Sequence, residues 1–223
     1  YCINLQERFC SLSGYLLIIN HTQMYKVFFN RKFVLLTTKI IDHNDQTPFF
    51  YIKYCDQKQI ISALKSKKTK GIYLYHPKEE KLWKHMLKIF SLVEAAGGLV
   101  QHQNGKVLFI YRNNKWDLPK GKIEKKEILI DGAVREVMEE TGVGDLIVKK
   151  SLNHTFHLFS RNGKYKLKKT YWYLMTTSYD GILEPQFEEG ISIVEWKTKE
   201  EVPDLMENAY QNIRLLFEEI ELI

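Results

Sequence analysis

The sequence predicts an α+β protein built in two parts, and three observations lead to that prediction. Short segments of alternating apolar and polar residues, typical of strands, occur in both halves of the chain. Two Asn-Gly pairs, Asn104-Gly105 and Asn162-Gly163, each separate two such segments, which favours tight hairpin turns. Apolar residues spaced three and four apart indicate helices before, between and after these hairpins.

The first part, residues 24–92, is predicted to be a small α+β module. Its strands are expected at residues 25–29, 33–37, 49–54 and 71–75. Asp56 is a candidate N-cap for one helix, and a second helix is expected to begin at His76-Pro77. Residues 1–23 have only weak patterning and are interpreted as an extension, with Met24 as a candidate physiological start.

The second part, residues 93–223, contains both hairpins and the remaining helices. A helix starting near residues 128–131 lies between the hairpins, and Gly142 is expected to cap its C-terminus in a left-handed conformation. Residues 182–195 are expected to supply the last strands. Helical spacing over residues 203–220 predicts a single closing helix, marked by Met206, Tyr210, Ile213 and Phe217.

Composition sets limits on the class of protein. Of the 223 residues, 44% are hydrophobic and 27% charged, which is ordinary for a soluble globular chain. No apolar run approaches the roughly 18 residues of a membrane span, so no membrane partner is expected. The three cysteines, Cys2, Cys10 and Cys55, form no CxxC pair, which argues against a zinc ribbon or a disulfide framework and favours a reducing cytoplasm.

Charge is unevenly distributed along the chain. Residues 1–92 carry 15 Lys/Arg against 6 Asp/Glu, a net +9, whereas residues 93–223 carry 18 against 21, a net −3. This change predicts a boundary near residue 92 between a basic module and an acidic catalytic part. A basic module can guide polyanions such as RNA. Alternatively, the lysines at 65, 67, 68 and 70 only solvate a helix end, which the lack of an accompanying aromatic pattern favours. Substrate recognition and homodimer formation are further possible roles.

Residues 121–143, with the sequence GKIEKKEILIDGAVREVMEETGV, indicate the chemistry. On a helix, Glu136, Glu139 and Glu140 project from one face, because they are spaced i, i+3 and i+4. Three like charges repel each other, and a hard cation such as Mg²⁺, which prefers oxygen ligands, turns that repulsion into binding. A solvated acidic face is the alternative for an isolated EVMEE. The fixed glycines, arginine and apolar residues around it favour a metal-dependent enzyme acting on phosphates.

These residues resemble the Nudix hydrolases, whose box is G-x5-E-x7-R-E-U-x-E-E-x-G-U with U apolar. Every specified position is filled between Gly121 and Val143. The resemblance extends over about residues 92–223 and implies an α/β/α sandwich with a mixed sheet, preceded here by the small α+β module. It also implies hydrolysis of a nucleoside diphosphate linked to another moiety, with Mg²⁺ or Mn²⁺ as cofactor.

The resemblance further implies which residues hold the metal. Glu139 and Glu140 are the implied direct carboxylate ligands, and Glu136 either joins them or holds a metal-bound water. Glu127 is expected to assist at the metal or to orient its neighbours, and the Gly121 loop to contribute a main-chain carbonyl. Arg135 is expected to be structural, pairing with Glu139 or Glu127 and keeping a carboxylate ionised and oriented.

Catalytic and substrate-binding residues are implied with less detail. The base that takes a proton from the attacking water is a box glutamate, Glu136 or Glu139, or a glutamate of a later loop, Glu188 or Glu189. A polar loop with no catalytic role is the alternative for the later pair. Lys120, before the box, is a candidate phosphate ligand. A second candidate is Lys169, from the cations around the 162–163 hairpin, although solvated edge-strand lysines would look the same.

The substrate is expected to be a phosphorylated nucleotide. The segment WDLPKGKIEKKE looks like the diadenosine and diphosphoinositol polyphosphate hydrolase branch, and a mutator-type triphosphatase or an RNA 5′-pyrophosphohydrolase is similar to it. A non-catalytic Nudix ligand sensor is the alternative from another functional class, although such domains usually carry a damaged box.

Overall fold

The computed structural model describes residues 25–219. The predictions made for residues 1–23, for Met24 as a start and for Cys2 and Cys10 lie outside the described residues. Twelve strands and five α-helices occur within the described range. The strands are β1 (Tyr25–Phe29), β2 (Lys32–Thr37), β3 (Phe49–Tyr51), β4 (Gly71–Tyr75), β5 (Ser91–His102), β6 (Val107–Arg112), β7 (Lys115–Asp117), β8 (Lys120–Lys122), β9 (Ile147–Ser151), β10 (Thr155–Arg161), β11 (Lys164–Thr177) and β12 (Ile191–Lys197). The helices are α1 (Gln57–Lys65), α2 (Glu79–Ile89), α3 (Leu129–Thr141), α4 (Val202–Glu207) and α5 (Gln211–Glu219).

All twelve described strands belong to one mixed sheet, which confirms the α+β class. Its main path runs β12-β6-β5-β11-β10-β1-β2-β4-β3, with β7 beside β6, β8 beside β5 and β9 beside β11. The long strands β5 and β11 pair in parallel, from Ser91 opposite Lys166 to His102 opposite Thr177. Both Asn-Gly hairpins form where the sequence predicts them, with Gln101 opposite Val107 and Arg161 opposite Lys164.

The first part of the chain extends the sheet of the second part. Strand β1 pairs in parallel with β10, with Val27 opposite Phe156. The two parts also share a core, because Phe156, Leu158 and Leu167 pack in one buried cluster with residues of β1, β2, α1 and α2. The boundary near residue 92 stays a prediction. Across that position the backbone hydrogen bonds and the apolar packing are continuous.

Helices cover both faces of the sheet in the second part. Along β6, Leu108 and Ile110 pack with Val137 of α3, whereas Phe109 between them stacks on Phe217 of α5 with ring centroids 5.6 Å apart. Successive side chains of a strand point to opposite faces, so α3 and α5 lie on opposite sides. This is the α/β/α layering that the resemblance implies. No helix within residues 25–219 is long and apolar enough to cross a membrane.

Four local predictions differ from the structure. The expected strand over 49–54 ends at Tyr51 and continues as a 3-10 turn. The segment 182–190 contains a 3-10 turn, Phe187–Glu189, rather than a strand. The closing helix is two helices. The backbone N–H of Trp116 donates to the carbonyl of Asn208 at 3.1 Å, and the carbonyl of Trp116 accepts from the backbone N–H of Tyr210 at 3.3 Å. Because the Asn208 carbonyl and the Tyr210 N–H bond to Trp116, they do not form the hydrogen bonds of one continuous helix. Strands β7, β8 and β9 were not predicted: β7 and β8 have three residues each, and the β9 sequence IVKKS does not alternate.

Candidate active site

Helix α3 positions the acidic residues of the 121–143 segment. It begins after Ile128 and ends at Gly142, which has φ 72° and donates its N–H to the carbonyl of Met138 at 2.8 Å. A left-handed residue at this position ends the helix, and glycine adopts it without strain. The apolar positions Ala133 and Val137 are fully buried against the sheet. Burying that stripe orients the carboxylates along one edge of the helix.

Arg135 binds three of these carboxylates at once. Its Nε donates to Glu127 Oε1 at 2.7 Å and its Nη2 to Glu127 Oε2 at 3.0 Å. Its Nη1 donates to Glu136 Oε1 and to Glu139 Oε2, both at 2.8 Å. The planar guanidinium fork suits such bidentate pairing. The prediction that Arg135 is a structural residue paired with Glu139 or Glu127 agrees with this geometry.

Gly121 lies directly against the Glu136 carboxylate. It sits on β8 opposite Ala96 of β5, and a Cβ built on it would fall 1.7 Å from Glu136 Oε2. Only a residue without a side chain permits this approach. The first residue of the box therefore fixes where the Glu136 carboxylate can lie, in addition to any role of its main chain.

Glu140 differs from the other box glutamates because it is buried. Only 1% of the residue is exposed, and its Oε2 accepts from the backbone N–H of Lys120 at 2.8 Å. Its Oε1 lies 3.4 Å from Nη1 of Arg112. Burial raises the pKa of Glu140 to about 7, and the nearby cations Lys120 and Arg112 oppose that rise. Glu140 is thus held on the inner side of α3, away from the Arg135 cluster.

The carboxylates around Arg135 titrate differently from one another. The Arg135 hydrogen bond, aided by the backbone N–H of Glu124, lowers the pKa of Glu127 to about 2. Burial raises the pKa of Glu136, and the charges of Glu139 and Glu189 raise it further against the effect of Arg135. Negative charge on Glu136 is therefore less well compensated than negative charge on Glu127.

The loop carrying Glu188 and Glu189 is attached to the C-terminus of α3. Glu184 donates its backbone N–H to the carbonyl of Thr141 at 2.9 Å, and Gln186 to that of Glu140 at 3.4 Å. Both Glu188 and Glu189 are exposed. Glu189 is close enough to Glu136 to influence its charge, whereas no such coupling is found for Glu188. Their role as base stays a prediction.

The two lysines predicted to bind phosphate have other contacts in this structure. Lys120 is buried, and its Nζ lies 2.8 Å from Oδ2 of Asp117, which is also buried. Lys169 is buried on β11, with its Nζ 4.2 Å from the ring centroid of Tyr171. Burial lowers the pKa of Lys169 to about 8. Their substrate-binding roles stay predictions.

The carboxylates of this cluster are of the chemical type that binds a hard divalent cation. Carboxylates supply the oxygen ligands that Mg²⁺ prefers. Arg135 engages one oxygen of Glu136 and one of Glu139, so each carboxylate has a second oxygen to offer. In this geometry the cluster closes around Arg135. Within the described range, no three acidic, histidine or cysteine side chains are grouped closely enough to hold one ion.

Sequence reasoning assigned no role to two residues around Glu140, Arg112 and Asp117, and included a third, Lys168, only among the cations around the 162–163 hairpin. Arg112 and Asp117 approach it from β6 and β7, 28 and 23 positions away along the chain, and Lys168 from β11 is electrostatically coupled to Arg112 and Lys120. Periodicity carries no signal for such long-range pairing. The only available hint was the acidic Asp117 in the segment WDLPKG that precedes the box.

Comparison with known proteins places this site in a family. A sequence profile described as NUDIX domain matches residues 92–218, more than half of the chain. Subunit 2 of the mRNA decapping complex of Schizosaccharomyces pombe is 31% identical over 102 residues, which cover 46% of this chain and 13% of that protein. The matched region is thus a small part of that relative's length.

Solved structures with similar folds include a Caenorhabditis elegans Ap4A hydrolase, seen in a binary complex, and a MutT protein from Methanosarcina mazei Go1. The first is 18% identical and aligns over 58% of this chain and 95% of its own, with a TM-score of 0.45. The second is 22% identical over 59% and 94%, with a TM-score of 0.47. The complete box and the profile match over residues 92–218 lead to one conclusion: the chain belongs to the Nudix family.

Proposed function

We propose that the protein hydrolyses a diphosphate linkage in a nucleoside diphosphate joined to another moiety, and that it requires Mg²⁺ or Mn²⁺. The observation that carries the proposal is the cluster in which Arg135 binds Glu127, Glu136 and Glu139 beside Gly121. A single arginine facing three carboxylates leaves an excess of negative charge. A bound divalent cation would balance that charge and stabilise negative charge developing on the substrate phosphates.

The chain's own residues have distinct tasks in this proposal. Glu136 and Glu139 would hold the cation with their carboxylates. Arg135 keeps Glu127 ionised and fixes the positions of the three carboxylates. Glu189, in the attached loop near Glu136, is the candidate base for the attacking water. The raised pKa of Glu136 makes it the alternative base.

The substrate class we propose first is a nucleotide with several phosphates, such as a dinucleoside polyphosphate or a nucleoside triphosphate. One observation favours a second candidate, hydrolysis at the 5′ end of RNA: a relative 31% identical over 102 residues is a subunit of an mRNA decapping complex.

A substrate panel with matched variants tests this function. Phosphate, diphosphate and nucleotide products are measured with dinucleoside polyphosphates, nucleoside triphosphates, diphosphoinositol polyphosphates and 5′-triphosphorylated RNA, with Mg²⁺, Mn²⁺ or EDTA. We expect metal-dependent release that Glu139→Gln lowers at least about a hundredfold. Asp131→Asn is the control, since Asp131 is exposed on the same helix and outside the cluster. Equal activity in both variants would refute the assignment, and no release from any substrate would favour a ligand sensor.

A further inference from the structure

A large cleft lies between the first part of the chain and the Nudix part. Its volume is about 880 Å³, within the range of small-molecule binding sites. The first part contributes the β1–β2 turn with Arg31 and the end of α1 with Lys65. The second part contributes residues of β6, β10 and β11 and the start of α5. Neither part forms this cleft alone.

The cleft is strongly cationic. Its lining has six basic side chains against one acidic one, Asp117, which is a net +5. The basic residues are Arg31, Lys32, Lys65, Arg112, Lys120 and Lys168. Burial lowers the pKa of Lys168 to about 8, and repulsion from Lys120 and Arg112 lowers it further. Six basic side chains around one acidic one indicate a site that suits an anion.

Two further features equip the cleft for a nucleotide. Lys168 and Lys65 lie over aromatic rings of the lining, 5.1 Å from the centroid of Phe159 and 5.3 Å from that of Tyr165. Such contacts hold the lysine stems against the wall and leave the ammonium groups at the cleft. Nδ1 of His157, another lining residue, is buried without a hydrogen-bond partner among residues 25–219.

The cleft adjoins the catalytic helix through Glu140. Arg112 lines the cleft and reaches Glu140 Oε1 at 3.4 Å. The Lys120 side chain lines the cleft, while its backbone N–H holds Glu140 Oε2 at 2.8 Å. A substrate whose scissile linkage lies at the carboxylates of α3 would therefore extend its remaining phosphates past Glu140 into the cleft.

We propose that this cleft binds the phosphates beyond the scissile linkage of a nucleotide with three or more phosphates, and that the first part of the chain is thereby a substrate-recognition element. The inference rests on the proposed function and assigns a role to the module that the Nudix profile does not cover. A cleft of about 880 Å³ has the size of a site for one nucleotide-sized group, which favours a small molecule over an RNA chain.

Charge reversal within the module provides the test. Arg31 and Lys65 are exposed and line the cleft, whereas Lys67 and Lys68 are equally exposed, follow α1 directly and lie outside it. The double variant Arg31→Glu/Lys65→Glu is therefore compared with the control Lys67→Glu/Lys68→Glu in the full chain. Both change the net charge by the same amount. Thermal unfolding of each variant verifies that the fold is retained.

Binding of inorganic tripolyphosphate is measured by calorimetry, independently of turnover. We expect the Arg31/Lys65 variant to bind at least about tenfold more weakly than wild type, since it reverses two charges at the ligand, and the control to stay within about twofold. Equal losses in the two variants, or no binding by wild type, would overturn the inference. Because this readout needs no hydrolysis, it succeeds or fails separately from the proposed function.

Turnover of diadenosine tri-, tetra- and pentaphosphate then locates the effect. We expect the Arg31/Lys65 variant to raise KM most for the longest phosphate chain while kcat changes little, because the cleft contacts are remote from the scissile linkage. A loss confined to 5′-triphosphorylated RNA would contradict the choice of a nucleotide as occupant.

Discussion

Replacing Glu140 by glutamine should raise the stability of this protein near neutral pH and lower its activity. Glu140 is only 1% exposed, and burial raises its pKa from 4.5 to about 7. That displacement corresponds to about 3 kcal/mol, at about 1.4 kcal/mol for each tenfold change in proton affinity. A glutamine of the same shape still accepts the N–H of Lys120 and carries no charge to bury. The variant therefore avoids the cost that wild type bears when Glu140 is ionised.

The direction of the pH dependence follows from the higher pKa in the folded state. Below pH 4.5 the carboxyl group is protonated in both states, and the stability that protonation contributes is fully present. As pH rises through about 7, the folded state loses its proton and this contribution disappears. The glutamine variant has no such loss, so its stability relative to wild type should rise by about 3 kcal/mol between pH 4.5 and pH 8.

Urea denaturation of both proteins in EDTA, at intervals across this pH range, measures the effect. Asp131→Asn, on an exposed position of the same helix, controls for the removal of one negative charge. Activity with Mg²⁺ should fall at least about a hundredfold in Glu140→Gln, since the carboxylate links the helix to Lys120 and Arg112. A stability difference that is the same at pH 4.5 and pH 8 would refute the argument from burial.

Two other perturbations follow from the same geometry. Gly121→Ala places a Cβ 1.7 Å from Glu136 Oε2, at the end of a flexible side chain, so we expect nearly unchanged stability with kcat lowered about tenfold to a hundredfold. Gly97→Ala places its Cβ 2.3 Å from the main-chain oxygen of Pro119, so we expect the free energy of unfolding in urea to fall by about 1–3 kcal/mol. A destabilised Gly121→Ala together with an unaffected Gly97→Ala would contradict both expectations. Arg135→Ala should raise the pKa of Glu127 from about 2. In wild type this low pKa contributes stability that is present above pH 4.5 and is lost as pH falls toward 2. The variant should lack this contribution when its stability is measured across the acid range. An unchanged acid transition would show that Arg135 does not hold Glu127.

The sequence was most informative where structure is set locally. Hairpins at Asn104-Gly105 and Asn162-Gly163 depend on two residues, and the α3 terminus at Gly142 on one. Prediction failed where distant backbone overrides local preference. The closing helix breaks because Trp116, about 90 positions earlier, pairs with the backbone around residue 209. Helical periodicity in residues 203–220 contains no information about that partner.

The candidate site likewise has a part that the sequence predicts and a part that it does not. The carboxylate face and its arginine follow from helical spacing, because Arg135, Glu136 and Glu139 lie within five residues. The environment of Glu140 does not follow from spacing, since β6, β7 and β8 build it. Spacing also predicts Glu136, Glu139 and Glu140 as equivalent, whereas burial separates Glu140 from the other two. The cleft with Arg31 and Lys65 needs two parts of the chain and has no sequence signature.

Opposite charge on the two sides of α3 determines how an anionic substrate would lie. On the outer side, Arg135 offsets one of the three charges of Glu127, Glu136 and Glu139, which leaves a net −2 that repels phosphate until a divalent cation balances it. The cleft on the other side has a net +5 and attracts phosphate without a cation. Chelation should therefore abolish turnover but leave most of the affinity for tripolyphosphate. Calorimetry in EDTA measures that affinity, and its complete loss would place the phosphate site at the metal instead of in the cleft.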